Sequence, residues 1–367
     1  MAEKRGNWLE LRVARRVVES DVVVSLHLVS NDGSALPPFV AGQFLTLRVP
    51  KPGGGVMPRN YSLSNGPGDI SHYRISVKRE GPPARQPELP AGIGSGFVHD
   101  VLLEGEIVAS LAPRGDFVLD RSSTRPVLLL AGGIGVTPLA SMAQVLAAEG
   151  KRQVTMIHAC ENGQVQALGT ELRMLAESCP SFRYLVALAT PFQQDKTSKL
   201  HQLEGFVDPV FLRSVLPIGD YDCYLCGPKG FMQVMYQYLV SLGVREEQIR
   251  YEFFGPATLL TARSVTVPAT SVAPAPSATL PADGTPTVTF GKSGISFPWD
   301  PTKRTLLDFA ESHGFTPAFS CRNGICSTCL CIIDGNVNYV EDPLDMPEDG
   351  KALICCSIPR GNVILDL

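Results

Sequence analysis

Residues 126–148 read PVLLLAGGIGVTPLASMAQVLAA, the most apolar stretch of the 367-residue chain. A membrane-spanning helix needs about 20 predominantly apolar residues without interruption. Here Gly132, Gly133 and Gly135, the internal Pro138 and the polar Thr137, Ser141 and Gln144 interrupt the run. The stretch therefore divides into a short buried strand, a glycine turn and an amphipathic helix. Such a unit offers a pyrophosphate both a glycine turn and the positive end of a helix dipole. It is not the G-x-G-x-x-G fingerprint, and a glycine turn by itself is structural about as often as functional.

The pattern continues toward the C-terminus. From Pro126 to Pro256, apolar VLLLAG, VTMIHAC, FRYLVALA and CYLCG alternate with helical PLASMAQVLAAEG, LGTELRMLAESC and GFMQVMYQYLVSLG. That alternation predicts an α/β domain with a parallel sheet. Toward the N-terminus, residues 9–120 hold short strand patterns such as QFLTLRVP, HYRISVKRE and EIVASLAP between Gly-, Pro- and Asn-rich turns, which predicts an antiparallel β-barrel. Residues 257–284 contain no aromatic residue and spread prolines among Ala, Thr and Ser, as an extended linker does. A flexible linker of that length would span roughly 25–35 Å. After it come strands around VTFGKSGISFPW, a helix around RTLLDFAESHG and a cysteine-rich loop, an α+β pattern. The expected domains are 1–122, 123–256 and 285–367, with 257–284 as tether.

Composition agrees with a multidomain globular protein, with 44% hydrophobic and 19% charged residues. The formal net charge of -4 provides no basic field for nucleic acid or an anionic membrane, so neither partner is expected. The N-terminal MAEKRGNWLELRVARR lacks the apolar core of a signal peptide, and a reducing, cytoplasmic setting is expected. Six of the ten cysteines follow residue 320, so clustered metal ligands are a better reading than a disulfide framework.

Cys321, Cys326 and Cys329 have C-x4-C-x2-C spacing, and Cys355 and Cys356 follow within LICCSIP. Three thiolates on one loop and one distant thiolate suit the two irons of a plant-type 2Fe-2S cluster. Structural zinc, the competing reading, more often takes two separated C-x2-C pairs. Gly324 fits a loop that must turn tightly and bring its N–H groups toward sulfur. The spacing leaves Cys355 and Cys356 both open as fourth ligand. The segment resembles the plant-type ferredoxin family, with its β-grasp fold, and Leu353, Cys355, Ser357 and Pro359 match the family's closing pattern. The resemblance thus implies Cys321, Cys326, Cys329 and Cys355 as ligands, with Cys331 and Cys356 as small buried neighbours.

At Arg59-Asn-Tyr61-Ser62-Leu63-Ser64-Asn65, strand periodicity puts Arg59, Tyr61 and Leu63 on one face. As composition this is weak, since such a face is usually just solvated. RNYSLSN resembles the flavin signature of the ferredoxin reductase superfamily, however, and it falls on a predicted barrel. The resemblance implies that Arg59 pairs with flavin phosphate, Tyr61 packs on the isoalloxazine and Ser62 reaches its N5 side. Gly92-Ile-Gly94-Ser95-Gly96 resembles the family's phosphate-binding helix start, where a Ser cap and small residues leave N–H groups for an anion. FAD is expected on the similarity to the reductase portion of flavohaemoglobins, with FMN as the alternative.

The same superfamily resemblance extends to the nicotinamide side. Gly132, Gly133, Gly135 and Thr137 form the turn, Cys226, Gly227 and Pro228 the segment beside nicotinamide, and Glu252 and Phe254 the lining of the isoalloxazine. Ser62, Cys226 and Glu252 are accordingly the candidate catalytic residues. Cys223 shares a C-x2-C with Cys226, but its place in an apolar strand argues for burial. Glu161 follows the strand VTMIHAC with no adjacent Arg or Lys, which favours NADH over NADPH.

As a whole the chain resembles the reductase components of Rieske-type oxygenases, including those acting on glycine betaine or carnitine. The resemblance implies that NADH, flavin and cluster pass electrons to a separate oxygenase component. Two alternatives are a stand-alone reductase of a haem or hybrid-cluster protein and a non-catalytic carrier module. Residues 285–367 carry ten Asp and Glu against six Lys and Arg. Among them Glu341, Asp342, Asp345, Glu348 and Asp349 make either an acidic docking surface or an ordinary solvated face.

Overall fold

The computed structural model describes residues 8–82, 91–254, 260, 285–319 and 321–367. Residues 1–254 and 255–367 form two compact units. The expected tether, 257–284, lies outside the described residues apart from Leu260.

In the first unit, β1 (Leu9–Ser20), β2 (Val23–Ser30), β3 (Phe44–Pro50), β4 (Val56–Ser62), β5 (Tyr73–Lys78) and β6 (Ile107–Arg114) make one antiparallel sheet. Its order is β4-β3-β6-β1-β2-β5. The two edges meet where Leu63 bridges Ile75 and the Ser64 amide donates to the Arg74 carbonyl at 2.8 Å, so the sheet curls into a barrel. Closure removes the exposed edges that an open sheet would leave. Strand β4 stops at Ser62, and Leu63, bridged to Ile75, is fully buried in the core cluster against which Tyr61 also packs, while Arg59 stays exposed. Helix α1 (Ile93–Asp100) packs against the barrel through Val98.

The nucleotide half is a parallel sheet of order β10-β9-β8-β7-β11-β12. Its elements are β7 (Val127–Gly132), α2 (Val136–Glu149), β8 (Val154–Cys160), α3 (Gly169–Ser178), β9 (Phe182–Leu188), α4 (Gln193–Ser198), β10 (Leu203–Glu204), α5 (Pro209–Val215), β11 (Asp222–Gly227), α6 (Lys229–Ser241) and β12 (Ile249–Phe253). Every residue of β7 and β11 is buried, which explains their continuous apolar runs. Helix α2 ends where Gly150 adopts φ 61°, its amide capping the Leu146 carbonyl.

The second unit contains β13 (Thr287–Phe290), β14 (Ile295–Pro298), α7 (Leu306–Ser312), β15 (Leu330–Asp334), β16 (Val337–Tyr339), β17 (Lys351–Leu353), β18 (Ser357–Pro359) and β19 (Val363–Leu365). The main sheet runs β14-β13-β19-β15-β17, with β13 and β19 parallel and the other pairs antiparallel. Thr305 caps α7 by accepting from the Asp308 amide, and Leu306, Leu307, Phe309 and Ala310 face inward.

Candidate functional site

A cleft of about 350 Å³ opens where barrel and parallel sheet meet. Its walls bring together Arg59, Tyr61 and Ser62 from β4, Gly94 and Ser95 from α1, Thr137 from α2, and Phe254 just past β12. The spacing of the motifs gave no hint of how close they come. A Cβ on Gly94 would lie 2.9 Å from Tyr61 Oη and 3.0 Å from Arg59 Cγ, so only glycine lets α1 approach that pair. Ser95 is not the helix cap expected from sequence. Gly92 holds that position, and Ser95 Oγ instead donates to the Gly92 carbonyl and accepts from the Glu80 amide, both at 3.0 Å. Ser95 thus ties α1 to the end of β5; Arg59 puts a cation on the same cleft as the start of α1, while Lys78, also on the wall, pairs with Glu80 at 3.3 Å. An anionic phosphate is the group such a wall suits.

Ser62, Cys226 and Glu252 converge. Glu252 stands opposite Cys226 in the pairing of β12 with β11, and Ser62 Oγ donates to Glu252 Oε2 at 3.5 Å across the seam. Burial pushes the Glu252 carboxyl up to about 8, with the Ser62 hydrogen bond opposing the shift. Cys226 is fully buried, and burial followed by the neighbouring Glu252 charge pushes its thiol well up. It is a neutral thiol at physiological pH. Phe254 leaves 44% of its surface open, available to pack on a planar ring.

The glycines behind the cleft have a packing reason that sequence could not separate from a phosphate-binding one. A Cβ on Gly135 would lie 2.2 Å from the Cys226 carbonyl oxygen, and one on Gly227 would lie 2.9 Å from Gly132 Cα. Gly132 itself meets Phe231 and Pro228. Gly133 differs: its φ is 52°, and a Cβ there would meet nothing within 4 Å. It is therefore the member of the turn that faces open space. Its carbonyl accepts from His158 Nε2 at 2.9 Å, while His158 Nδ1 lies 2.9 Å from Tyr184 Oη. Burial lowers His158 to about 4, so a neutral ring supports the turn, a contact with no sequence signal. Thr137 Oγ1 donates to the Ile134 carbonyl. Glu161 is exposed, and its Oε1 accepts from Thr190 Oγ1 at 2.5 Å.

In the second unit, Arg322, Gly324 and Ser327 all have positive φ, winding the loop back on itself. Cys321 Sγ accepts from the amides of Asn323, Ile325 and Cys326 at 3.3–3.4 Å, Cys326 Sγ from that of Cys321, and Cys355 Sγ from that of Gly324 at 3.4 Å. These N–H groups suit sulfur that carries negative charge, the state in which thiolates ligate iron. Cys321, Cys329 and Cys355 are buried and Cys326 is partly open. The Cys329 carbonyl accepts from the Ile354 amide at 3.4 Å, which places its backbone beside the Cys355 turn. Gly324 is doubly constrained, because a Cβ there would also lie 2.8 Å from Cys356 Sγ. Cys331 and Cys356 are buried. Of the five acidic residues, Glu341 pairs with Arg304 and Glu348 with Lys351, while all five are exposed.

Comparison with known proteins follows the same division. The family described as an oxidoreductase NAD-binding domain matches residues 129–237, and that described as a 2Fe-2S iron-sulfur cluster binding domain matches residues 288–360. A flavohemoprotein of Bacillus anthracis is 37% identical over 264 residues, and one of Rhodopirellula baltica 40% over 266, each alignment covering 71% of this chain and 64% of the relative. The chain thus spans less than two thirds of these relatives. The flavohem-like FAD/NAD-binding domain of a Vibrio cholerae nitric oxide dioxygenase is 34% identical with a TM-score of 0.60, covering 68% of this chain and 99% of that one. Phthalate dioxygenase reductase aligns over 98% of both chains at 25% identity, with a TM-score of 0.58. Among the described residues no helix is long and apolar enough to cross a membrane. The chain belongs to the ferredoxin reductase-like FAD/NAD-binding oxidoreductases and carries a C-terminal 2Fe-2S ferredoxin domain.

Proposed function

We propose that the chain is an NADH-dependent reductase that passes electrons through FAD to its 2Fe-2S centre and then singly to a separate protein, a Rieske-type oxygenase. The observation that carries this reading is the meeting of Ser62, Glu252 and Cys226 at one seam beside the Arg59–Tyr61 cleft. Bound there, a flavin would take two electrons from NADH and release them one at a time to a one-electron cluster.

The chain's own residues position and screen. Arg59 and the start of α1 present positive charge to flavin phosphate, and Tyr61 and Phe254 offer ring faces. Glu252 keeps its proton to about pH 8, so the edge it shares with Ser62 offers hydrogen bonds without a negative charge beside the reacting rings. Gly133 leaves room for pyrophosphate above the His158-supported turn. Glu161 repels a 2'-phosphate and thereby selects NADH. Cys321, Cys326, Cys329 and Cys355 hold the cluster, with amide donors offsetting its charge.

The full-length alignment with phthalate dioxygenase reductase supports an oxygenase as acceptor. A haem protein is the second reading, favoured by the identity to flavohemoproteins. Anaerobic titration with NADH, combined with flavin and iron analysis, tests the core of the proposal. Stoichiometric flavin and two irons, bleached by NADH, are expected; a protein without flavin or inert to NADH overturns it. Faster reduction of a Rieske centre than of a haem protein supports the oxygenase, and the reverse order the second reading.

A further inference from the structure

Three consecutive residues at the end of the flavin signature, Ser64, Asn65 and the following Gly66, are held by Arg74 of the barrel together with side chains of the nucleotide half. Arg74 of β5, 8% exposed, donates from Nε to Ser64 Oγ at 3.0 Å and from Nη2 to the Ser64 carbonyl at 2.5 Å. Its other face meets Glu171 of α3, with Nη1 to Oε2 at 2.6 Å and Nη2 to Oε1 at 3.0 Å. Gln144 of α2 completes the arrangement. Its Nε2 donates to Glu171 Oε1 at 2.6 Å, and its Oε1 accepts from the Gly66 amide at 2.5 Å. One turn earlier, Ser141 Oγ donates to the Asn65 carbonyl at 2.7 Å. Gly66 is fitted to this grip, since a Cβ there would lie 2.9 Å from Gln144 Oε1 and 3.1 Å from Gln144 Cβ.

Helix α2 therefore does two things along its length. Its first turn carries Thr137 on the candidate nicotinamide side, and Ser141 and Gln144, further along, hold the chain that emerges from Arg59–Ser62. Val23, Ala41, Phe117 and Leu119 of the flavin half pack into the apolar core of the nucleotide half, but that adhesion is non-directional. Paired, geometrically specific hydrogen bonds fix a register that apolar contact leaves soft. Replacing one partner leaves a nearly buried guanidinium uncompensated.

We propose that Arg74, Glu171 and Gln144 form an orientation clamp that sets the approach of the flavin ring to the nicotinamide. None of the three needs to touch either ring; they are positioning residues, and the assignment rests on the reading of the cleft under Proposed function. The clamp acts by holding the end of β4 against the helix that begins at the glycine turn.

Full-length, flavin-loaded protein carrying Glu171→Ala tests this, with Glu171→Gln as the conservative control. Glu171 is 36% exposed, so its removal does not hollow the core, and a thermal melt verifies folding. Hydrogen exchange at the Ser64–Gly66 amides is expected to accelerate by about tenfold or more, with Leu128–Leu130 unchanged. At saturating NADH, single-turnover flavin reduction is expected to fall by about ten- to a hundredfold, because small misplacements of reacting groups cost that much. The long-wavelength flavin–nicotinamide charge-transfer band weakens in parallel, NADH affinity holds, and Glu171→Gln, which keeps one acceptor oxygen but loses the charge opposite Arg74, recovers only part of the rate. A variant with wild-type rate and band, or with unaltered exchange, overturns the clamp alone. A wild-type protein that NADH does not reduce overturns the reading of the cleft, and the clamp's role in transfer with it.

Discussion

Between Cys321 and Cys329, nine residues carry three thiols and most of the amides that serve them. The cleft of the first unit instead draws on residues near positions 60, 77, 94, 136 and 254. The loop is a local structure, wound by three positive-φ residues that hold its thiols close together. The cleft is a tertiary structure whose walls contribute many small terms. A local site should therefore fail all at once when a ligand is lost, whereas a distributed one should fail by degrees.

The largest expected effect tests the local half of that contrast. Cys329→Ser should abolish cluster absorbance and iron binding while NADH-driven dye reduction at the flavin survives; a retained cluster would show that Cys329 is not a ligand. Gly135→Ala comes next, because its Cβ would enter the Cys226 carbonyl at 2.2 Å and the backbone must move. A loss of about 3 kcal/mol is expected for such overpacking, read by urea denaturation together with weakened NADH binding. An unchanged midpoint would mean that β11 can yield, and that the turn is less constrained than the contact implies.

The third test concerns Glu252, whose effect appears only as pH rises. Its carboxyl is raised from 4.5 to about 8 in the folded protein, so between those values the native state holds a proton that the unfolded state has lost. Stability from this group is accordingly full below pH 4.5, declines as pH rises toward 8 and is level above it. Glu252→Gln should remove that decline, so that the variant gains steadily on wild type as pH rises from 5 to 9. A constant difference across the range would indicate that the carboxyl is already ionised in the folded state.

The 2Fe-2S domain was legible because three of its cysteines are close in sequence and their spacing is a property of the chain. The parallel sheet was equally legible, since β7 and β11 are covered on both faces and read as uninterrupted apolar runs. The flavin signature was visible as a motif, but its neighbour across the barrel was not: closure sets Leu63 against Ile75, a contact between residues distant in the sheet order. Ser95 is not the cap for a related reason: its hydroxyl is engaged by the amide of Glu80, two residues past the end of β5. The short helices α4 and α5 were absent from the reading, as segments of six and seven residues carry too little periodicity to register.

By itself the sequence determined that this protein has an antiparallel half, a parallel half and a cysteine-bearing C-terminal unit, because alternation, apolar runs and ligand spacing are short-range properties. Only the tertiary structure decided what stands next to what. It put Ser62 against Glu252, gave Gly135 to the Cys226 carbonyl instead of to a ligand, and joined Arg74 to Glu171 across the seam. Each of those pairs is separated by about ninety or more residues in sequence, and no local pattern encodes a contact made only when two sheets pack.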